Sequence, residues 1–168
     1  MDSIRIFGYK SFKKLSVQLH PINLLIGANG AGKSNFLSLF EMLGNIYEKR
    51  LGAYVAQVGG VDKLLYQGRK VTDRIAVNLL IAKSEYDLAL LESDGKLIVE
   101  REVVGCYDDV CPLDLVRKNV ITEFQSESSL KDHKEEDLSN YISQIRKFHF
   151  HDTGRRSPFT ADSHIVND

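Results

Sequence analysis

The chain has 168 residues, of which 43% are hydrophobic, and its 22 basic residues nearly balance 23 acidic ones. That length suits one ordinary core, and that composition excludes a disordered chain. No apolar run approaches the ~20 residues of a membrane-spanning helix, and the N-terminus lacks a basic stretch followed by a hydrophobic one. We therefore expect a cytoplasmic protein without a membrane partner. The net charge of −1 provides no overall basic field for nucleic acid and leaves only a local patch open.

The first part of the chain predicts a β-hairpin followed by a buried strand. Alternating apolar residues at 4–6 and 15–19 flank turn residues at 8–11, which is typical of two antiparallel strands. The apolar run at 22–26 follows directly and predicts a further strand, buried in the sheet.

Residues 27–34 read Gly-Ala-Asn-Gly-Ala-Gly-Lys-Ser and fit the phosphate-binding P-loop pattern G-x-x-x-x-G-K-[ST]. Glycines permit backbone angles that side chains forbid, and they let the main chain approach phosphate oxygens. Lys33 supplies a positive charge for the β- and γ-phosphates, and the Ser34 hydroxyl is a ligand for Mg²⁺. Asn29 is expected near the γ-phosphate or the attacking water. The predicted nucleotide-binding residues are Gly27, Ala28, Asn29, Gly30, Ala31, Gly32, Lys33, Ser34 and Asn35.

Beyond the loop, the pattern indicates a helix and then a connecting segment. Apolar residues recur at helical spacing from 33 to about 49, which predicts a helix with one broad face against the sheet. Glycines at 52 and 59–60 predict a loop, and residues 61–66 predict a short helix.

The next part of the chain predicts an antiparallel meander. Three alternating runs have the pattern of strands, and Ser-Asp-Gly at 93–95 predicts the hairpin turn between the last two. The three runs are residues 74–82, 86–92 and 96–104. This order is unlike a βαβ alternation, so we predict an α/β fold with a mixed sheet around the 22–26 strand, the meander beside it and flanking helices.

The C-terminal part is predicted to hold a surface helix at 132–147 and a short strand at 147–150. An irregular tail follows at 151–168. We accordingly predict one lobe over residues 1–150 and a tail beyond it.

A hydrolysing P-loop enzyme needs an apolar strand that ends in a carboxylate holding the Mg²⁺ water shell. The nearest match is 88–92, which ends in Glu92, but it leads into a turn and favours a structural carboxylate. GTPase motifs are absent. Three functions stay open: an ATPase, a non-hydrolysing nucleotide-binding interaction module, and a small phosphotransferase with Arg155 and Arg156 as its lid.

Residues 4–12 and 23–37 together resemble the opening of ABC-type ATPase heads of the RecF, SMC and OLD group. They are most similar to bacterial AAA-family ATPases found among repair and phage-defence proteins, and residues 59–70 and 148–153 share that likeness. The resemblance implies ATP and Mg²⁺ as ligands and two heads closing around two nucleotides. Such heads carry their signature motif, Walker B strand and switch histidine in the later half. We therefore expect a first lobe that binds ATP and alone turns it over inefficiently.

The same resemblance assigns roles outside the loop. Lys10, Ser11 and Phe12 stand where such heads approach the α-phosphate and base of the nucleotide. His151 or Asp152 stands where the family has a glutamine that senses the metal and attacking water.

The resemblance also suggests partners. Arg69 and Lys70 form either a solvated turn or a contact to DNA in the complete assembly. The expected partners are ATP, a second head or the missing second lobe, and DNA through that assembly.

Overall fold

The computed structural model describes residues 1–82, 84–106, 117–133 and 136–145. The strands are β1 (Ser3–Tyr9), β2 (Phe12–Gln18), β3 (Arg74–Ile81), β4 (Ser84–Ser93), β5 (Lys96–Cys106) and β6 (Arg117–Gln125). The α-helices are α1 (Lys33–Tyr47), α2 (Leu51–Gln57) and α3 (Glu136–Ser143), and 3-10 turns cover Val61–Lys63 and Leu130–Asp132. The predicted strand at 147–150 and the tail at 151–168 lie outside the described residues.

The six strands form one sheet in the order β2-β1-β3-β4-β5-β6. Each neighbouring pair is antiparallel; Ile4, for example, lies opposite Val17 on one side and Leu79 on the other. Alternate residues of β1, β3 and β4 are buried, and this face joins the helices in one core. The predicted hairpin and meander are confirmed.

Helix α1 confirms the predicted helical periodicity. Its buried side chains recur three or four positions apart, which places them on one face of the helix. They are Phe36, Ser38, Leu39, Met42, Leu43 and Ile46. Because these positions are anchored in the core, the N-terminal end of α1, where the P-loop joins it, is held in place.

The predicted strand at 22–26 and the mixed sheet built around it are wrong for the described residues. This segment has no regular secondary structure and lies outside the sheet, whose pairings are all antiparallel. Ile22 is 90% exposed and Leu24 81%. A strand needs neighbours for its hydrogen bonds, and none of the described segments runs beside this one.

Two elements were not predicted from the sequence. The expected loop around residue 52 is helix α2, in which Leu51, Tyr54 and Val55 are buried at helical spacing. Strand β6 was missed because the apolar side chains of Val120 and Phe124 point to solvent while Thr122 is buried. An edge strand with that inverted pattern lacks the usual signal of a half-buried strand.

Two predicted helices are shorter in the structure. The helix expected at 61–66 is a 3-10 turn over Val61–Lys63. The predicted surface helix is described over Glu136–Ser143, where Leu138 and Ile142 face the core.

Candidate functional site

The segment that matches the P-loop pattern is an exposed turn that leads directly into α1. Gly30 and Gly32 have φ of 85° and 93°, backbone angles that favour glycine. The Ala31 N–H donates to the carbonyl of Ala28 at 3.2 Å and closes the bend. Helix α1 begins immediately after Gly32, so its unpaired first-turn N–H groups and its positive dipole end face the loop.

Lys33 reaches back across this loop. Its Nζ donates to the carbonyl oxygens of Gly27 at 2.6 Å and Ala28 at 2.8 Å, and both contacts are exposed. A phosphate oxygen is a stronger acceptor for an ammonium group than a neutral carbonyl, so a polyphosphate would compete with these two carbonyls for Lys33.

The turn between β1 and β2 packs against the loop. Asn35 Nδ2 donates to Ser11 Oγ at 3.0 Å. A Cβ atom at Gly32 would stand 3.1 Å from Ser11 Oγ and 3.2 Å from the ring of Phe12. The structure therefore brings two of the three hairpin residues singled out in the sequence directly beside the loop.

Lys10 ties the same turn to the buried face of α1. Its Nζ donates to Ser38 Oγ at 2.8 Å, and Tyr9 Oη lies 2.9 Å from that oxygen. Ser38 Oγ itself donates to the carbonyl of Asn35, so Tyr9 is the donor to Ser38. Tyr54 donates to the Ser38 carbonyl at 3.2 Å. Ser38 was not predicted from the sequence, where its only signal is a hydroxyl on the apolar face of a helix.

Burial strengthens this network by keeping its phenols protonated. Desolvation raises the pKa of Tyr9 far above its usual value, and the hydrogen bond between Tyr9 and Ser38 offsets only part of that rise. The pKa of Tyr54 is also raised, again chiefly by burial. Both hydroxyls therefore remain hydrogen-bond donors at physiological pH.

A basic cavity of about 790 Å³ shares Lys10 and Asn35 with the site described above. Lys63 and Lys70 also border it. Arg69 lines it too, but its charge is engaged: the Arg69 main-chain N–H donates to Asp62 at 2.9 Å, and its guanidinium lies 3.3 Å from the same carboxylate. Asp62 is thus balanced by Arg69. The lysines leave the cavity with an excess of positive charge that suits anions.

The family of the chain follows from comparison with known proteins. The AAA ATPase domain family matches residues 1–153, which include the loop, the hairpin and the whole described sheet. The chain belongs to the AAA ATPase domain family. Comparisons with curated proteins and with solved structures found no match.

Membership of the AAA ATPase domain family points to nucleotide binding, usually with Mg²⁺. The α/β character of the structure, an antiparallel sheet carrying helices, is consistent with such a domain. Over the described ranges, no helix combines the length and hydrophobicity needed to cross a bilayer.

The residues at the loop can take part in a magnesium site and do not form one alone. Ser34 is exposed beside the loop, where its hydroxyl is a hard oxygen donor suited to Mg²⁺. Among the residues described, no group of three or more His, Cys, Asp or Glu side chains could hold a metal. Mg²⁺ keeps most of its waters and often takes substrate phosphate oxygens. Ser34 would therefore hold the ion together with those oxygens.

Glu92 has the structural role expected from its sequence context. It is the last but one residue of β4, and its Oε1 accepts a hydrogen bond from the Gly95 N–H at 2.7 Å, so it closes the hairpin turn. It is not a carboxylate at the end of a strand beside the P-loop. Of the three residues predicted to be catalytic, Lys33 lies at the loop, and His151 and Asp152 lie outside the described part of the chain.

Proposed function

We propose that the chain binds ATP together with Mg²⁺ at residues 27–35 and serves as the N-terminal half of an ABC/RecF-like ATPase. One observation carries this proposal. The loop leads directly into α1, with Gly30 and Gly32 in left-handed conformations, the start of α1 facing it and the Lys33 ammonium held across it, an arrangement that suits an anion. The family match supports the nucleotide as the ligand.

Each group at the loop has a role in this proposal. The main-chain N–H groups surround the β-phosphate, and Lys33 turns from the carbonyls of Gly27 and Ala28 to the β- and γ-phosphates. Ser34 holds Mg²⁺. The turn residues Lys10, Ser11 and Phe12 face the α-phosphate and base, which is consistent with the contact of Ser11 and Phe12 with the loop.

Hydrolysis is assigned to the complete assembly. A second head or lobe would supply the acidic strand end and the signature motif, with His151 or Asp152 contributing from this chain. Arg69 and Lys70, at the basic cavity, would be the contact to DNA. Residues 1–150 would form the lobe. A non-hydrolysing nucleotide-binding module is the second candidate, because the described residues offer no carboxylate in the Walker B position.

Calorimetric titration with ATP and Mg²⁺ tests the binding proposal. Hydrogen bonds to charged groups contribute about 1.5–3 kcal/mol, so Lys33→Ala should weaken ATP binding by about 10- to 100-fold. Lys14→Ala, on the exposed face of β2, removes an equal charge away from the loop and should leave the affinity within about twofold. Equal affinities for wild type and Lys33→Ala would refute the proposal.

Measurement of phosphate release tests the second candidate, the non-hydrolysing module. We expect turnover by the 168-residue chain to stay at the level of its Lys33→Ala variant. If turnover clearly exceeds that level and Asp152→Asn or His151→Gln abolishes the excess, the chain itself is an ATPase and the module is excluded.

A further inference from the structure

The two edges of the described sheet present different side chains to solvent. Strand β2 forms one edge, where Lys13 and Lys14 are exposed and the apolar side chains are partly buried. Strand β6 forms the other edge, where Val120 is 48% exposed and Phe124 is 66% exposed. Lysines on an edge strand protect it from pairing with another strand, whereas exposed apolar side chains favour such pairing. Of the two edges, β6 is therefore the one suited to an interaction.

A β-bulge determines which residues of β6 share a face of the sheet. Positions 120 and 122 of β6 lie opposite positions 103 and 102 of β5, so the register of these two strands gives Ile121 no partner. An extra residue of this kind shifts the alternation of a strand by one position. Lys118, Val120 and Glu123 consequently lie opposite every second residue of β5, at 105, 103 and 101, and occupy one face. Without the bulge, positions 118 and 123 would lie on opposite faces.

The charges on this face have opposite signs at the two ends of β6. Lys118 stands near the start of the strand and Glu123 near its end. Glu123 lies 3.9 Å from Arg101 of β5, and both side chains are 59% exposed, so this ion pair is weak and the carboxylate stays accessible. An antiparallel copy of β6 would bring each Lys118 beside the Glu123 of the other chain, whereas a parallel copy would bring like charges together.

Antiparallel pairing of two β6 strands also has the symmetry of the commonest protein dimers. Two identical strands that run antiparallel are related by a twofold axis, so every contact between them occurs twice. When Lys118 of each chain lies opposite Glu123 of the other, the axis passes midway between these positions, beside Val120. The exposed Val120 side chains of both chains then lie at the centre of the contact, between the two ion pairs. The strand is thus complementary to itself in both charge and apolar surface.

We infer that β6 is a dimer interface, at which the β6 strands of two copies of this chain pair antiparallel with Lys118 of each opposite Glu123 of the other. The bulge at Ile121 interrupts regular main-chain pairing, so side chains carry the specificity of the contact. Contacts below about 1,200 Å² are typical of weak association, and a single pair of edge strands belongs to that class. The interface contains none of the P-loop residues and does not depend on whether the loop binds ATP.

Sedimentation equilibrium of the 168-residue chain without nucleotide tests this inference. We expect a monomer–dimer equilibrium with a Kd between about 1 and 500 μM. Glu123→Lys and Lys118→Glu should each raise the Kd by at least about tenfold, because like charges then meet at both symmetry-related positions. Lys14→Glu makes the same change of charge on the opposite edge, at an exposed position of β2, and should leave the Kd unchanged.

An equimolar mixture of the two charge-reversed variants tests the pairing itself. The Glu123→Lys chain has lysine at both positions, and the Lys118→Glu chain has glutamate at both. A dimer of one chain of each kind therefore regains two pairs of opposite charge. We expect this mixed dimer to form with a Kd within about threefold of the wild-type value, although each variant alone remains monomeric at the same concentration.

Hydrogen exchange of the wild-type chain provides a second readout that needs no variant. Amides of β6 should exchange at least about tenfold more slowly at concentrations well above the Kd than far below it, and those of β2 should not change.

Several results would overturn the inference. A chain that stays monomeric up to about 0.5 mM would leave β6 to an unlike partner. A dimer that persists in both charge-reversed variants, a mixture of them that stays monomeric, or slowed exchange at β2 in place of β6 would place the contact elsewhere.

Discussion

Gly32 links the chemistry of the loop to the packing of the hairpin. It ends the loop, precedes α1 in a left-handed conformation, and leaves room for the side chains of Ser11 and Phe12. Gly30 has a similar φ but faces open space, where an added Cβ would meet nothing within 4 Å. Alanine substitutions at these two glycines therefore distinguish the cost of a strained backbone from the cost of crowding against the hairpin.

We predict that Gly30→Ala costs about 1–2 kcal/mol of unfolding free energy, from the left-handed backbone alone. Gly32→Ala should cost about 1–3 kcal/mol more, because its Cβ also crowds the hairpin. Urea unfolding of both variants measures the difference. Equal losses of unfolding free energy in the two variants would show that the hairpin side chains do not crowd a Cβ atom at position 32.

Tyr9 gives a pH prediction at the same scale. Its pKa is raised in the folded protein, mainly by burial, so above the unfolded value of about 10 only the unfolded chain loses this proton. The stabilisation is thus complete below pH 10 and declines as the pH rises further. In wild type, Tyr9 should account for about 1.4 kcal/mol of lost stability per pH unit above 10.

The matched variant is Tyr9→Phe. It lacks the ionising hydroxyl, so its unfolding free energy should fall less steeply with pH above 10 than that of the wild type. At pH 7 the same variant should lose only about 1 kcal/mol, since Ser38 keeps its hydrogen bond from Lys10. Urea unfolding at pH 7 and at several values above 10 supplies both numbers. An unchanged slope would place the Tyr9 hydroxyl in contact with water.

The candidate loop could be located from the sequence because the P-loop pattern is local. The spacing of glycines, Lys33 and Ser34 within eight positions defines the loop without knowledge of the fold. The bonds from Lys10 and Tyr9 to Ser38 join positions 28 and 29 residues apart. Such contacts depend on how β1 lies against α1, which no local pattern specifies.

At the scale of elements, a buried carboxylate holds the end of the sheet together. Glu102 on β5 is fully buried and accepts hydrogen bonds from Tyr86 at 2.5 Å, Ser128 at 2.6 Å and the Ser129 N–H at 2.9 Å. Burial, and then the nearby Glu102, raise the pKa of Tyr86, so its hydroxyl remains a donor. Glu102 thereby fastens the chain after β6 to β4 and β5.

Glu102→Gln should destabilise the protein by about 1–3 kcal/mol. The substitution replaces one carboxylate oxygen with an NH₂ group, which cannot accept a hydrogen bond. In either orientation of the amide, a buried donor loses its acceptor: the Ser129 N–H in one, the hydroxyls of Tyr86 and Ser128 in the other. Thermal unfolding of this variant beside Glu123→Gln, whose residue is exposed on β6, provides the comparison. Similar losses in the two variants would mean that the Glu102 cluster contributes little.

Elements with strong periodicity could be predicted, and the others could not. α1 and the meander β3–β4–β5 combine regular burial with clear turns. α2 was obscured by Gly52, which sits on its exposed side, and β6 by apolar residues that face solvent. In these two elements tertiary packing, not the local pattern, determines the structure.

At the scale of the whole molecule, the apolar run at 22–26 is the main departure from the sequence prediction. Its hydrophobicity predicts a buried segment, whereas among the described residues it is exposed. An apolar run in the sequence predicts that a segment is covered, but it does not specify what covers the segment.

Because residues 22–26 are exposed, substitutions there should change the stability of the chain very little. Leu24→Ala should change the unfolding free energy by no more than about 0.5 kcal/mol, because the side chain is already 81% exposed. Leu39→Ala, at a fully buried position of α1, should cost about 2–5 kcal/mol. Chemical denaturation compares them, and a loss of 2 kcal/mol or more in Leu24→Ala would place residues 22–26 in the core of this chain.

The central claim is that residues 27–35 bind the phosphates of ATP, and a crystal structure with a non-hydrolysable ATP analogue and Mg²⁺ tests it most directly. We expect the β- and γ-phosphates within about 3 Å of Lys33 Nζ and of the loop N–H groups, with Lys33 released from the carbonyls of Gly27 and Ala28. Ser34 Oγ should contact the metal ion. A nucleotide bound elsewhere, for example in the basic cavity beside Lys63, with Lys33 still bonded to those two carbonyls, would contradict the account.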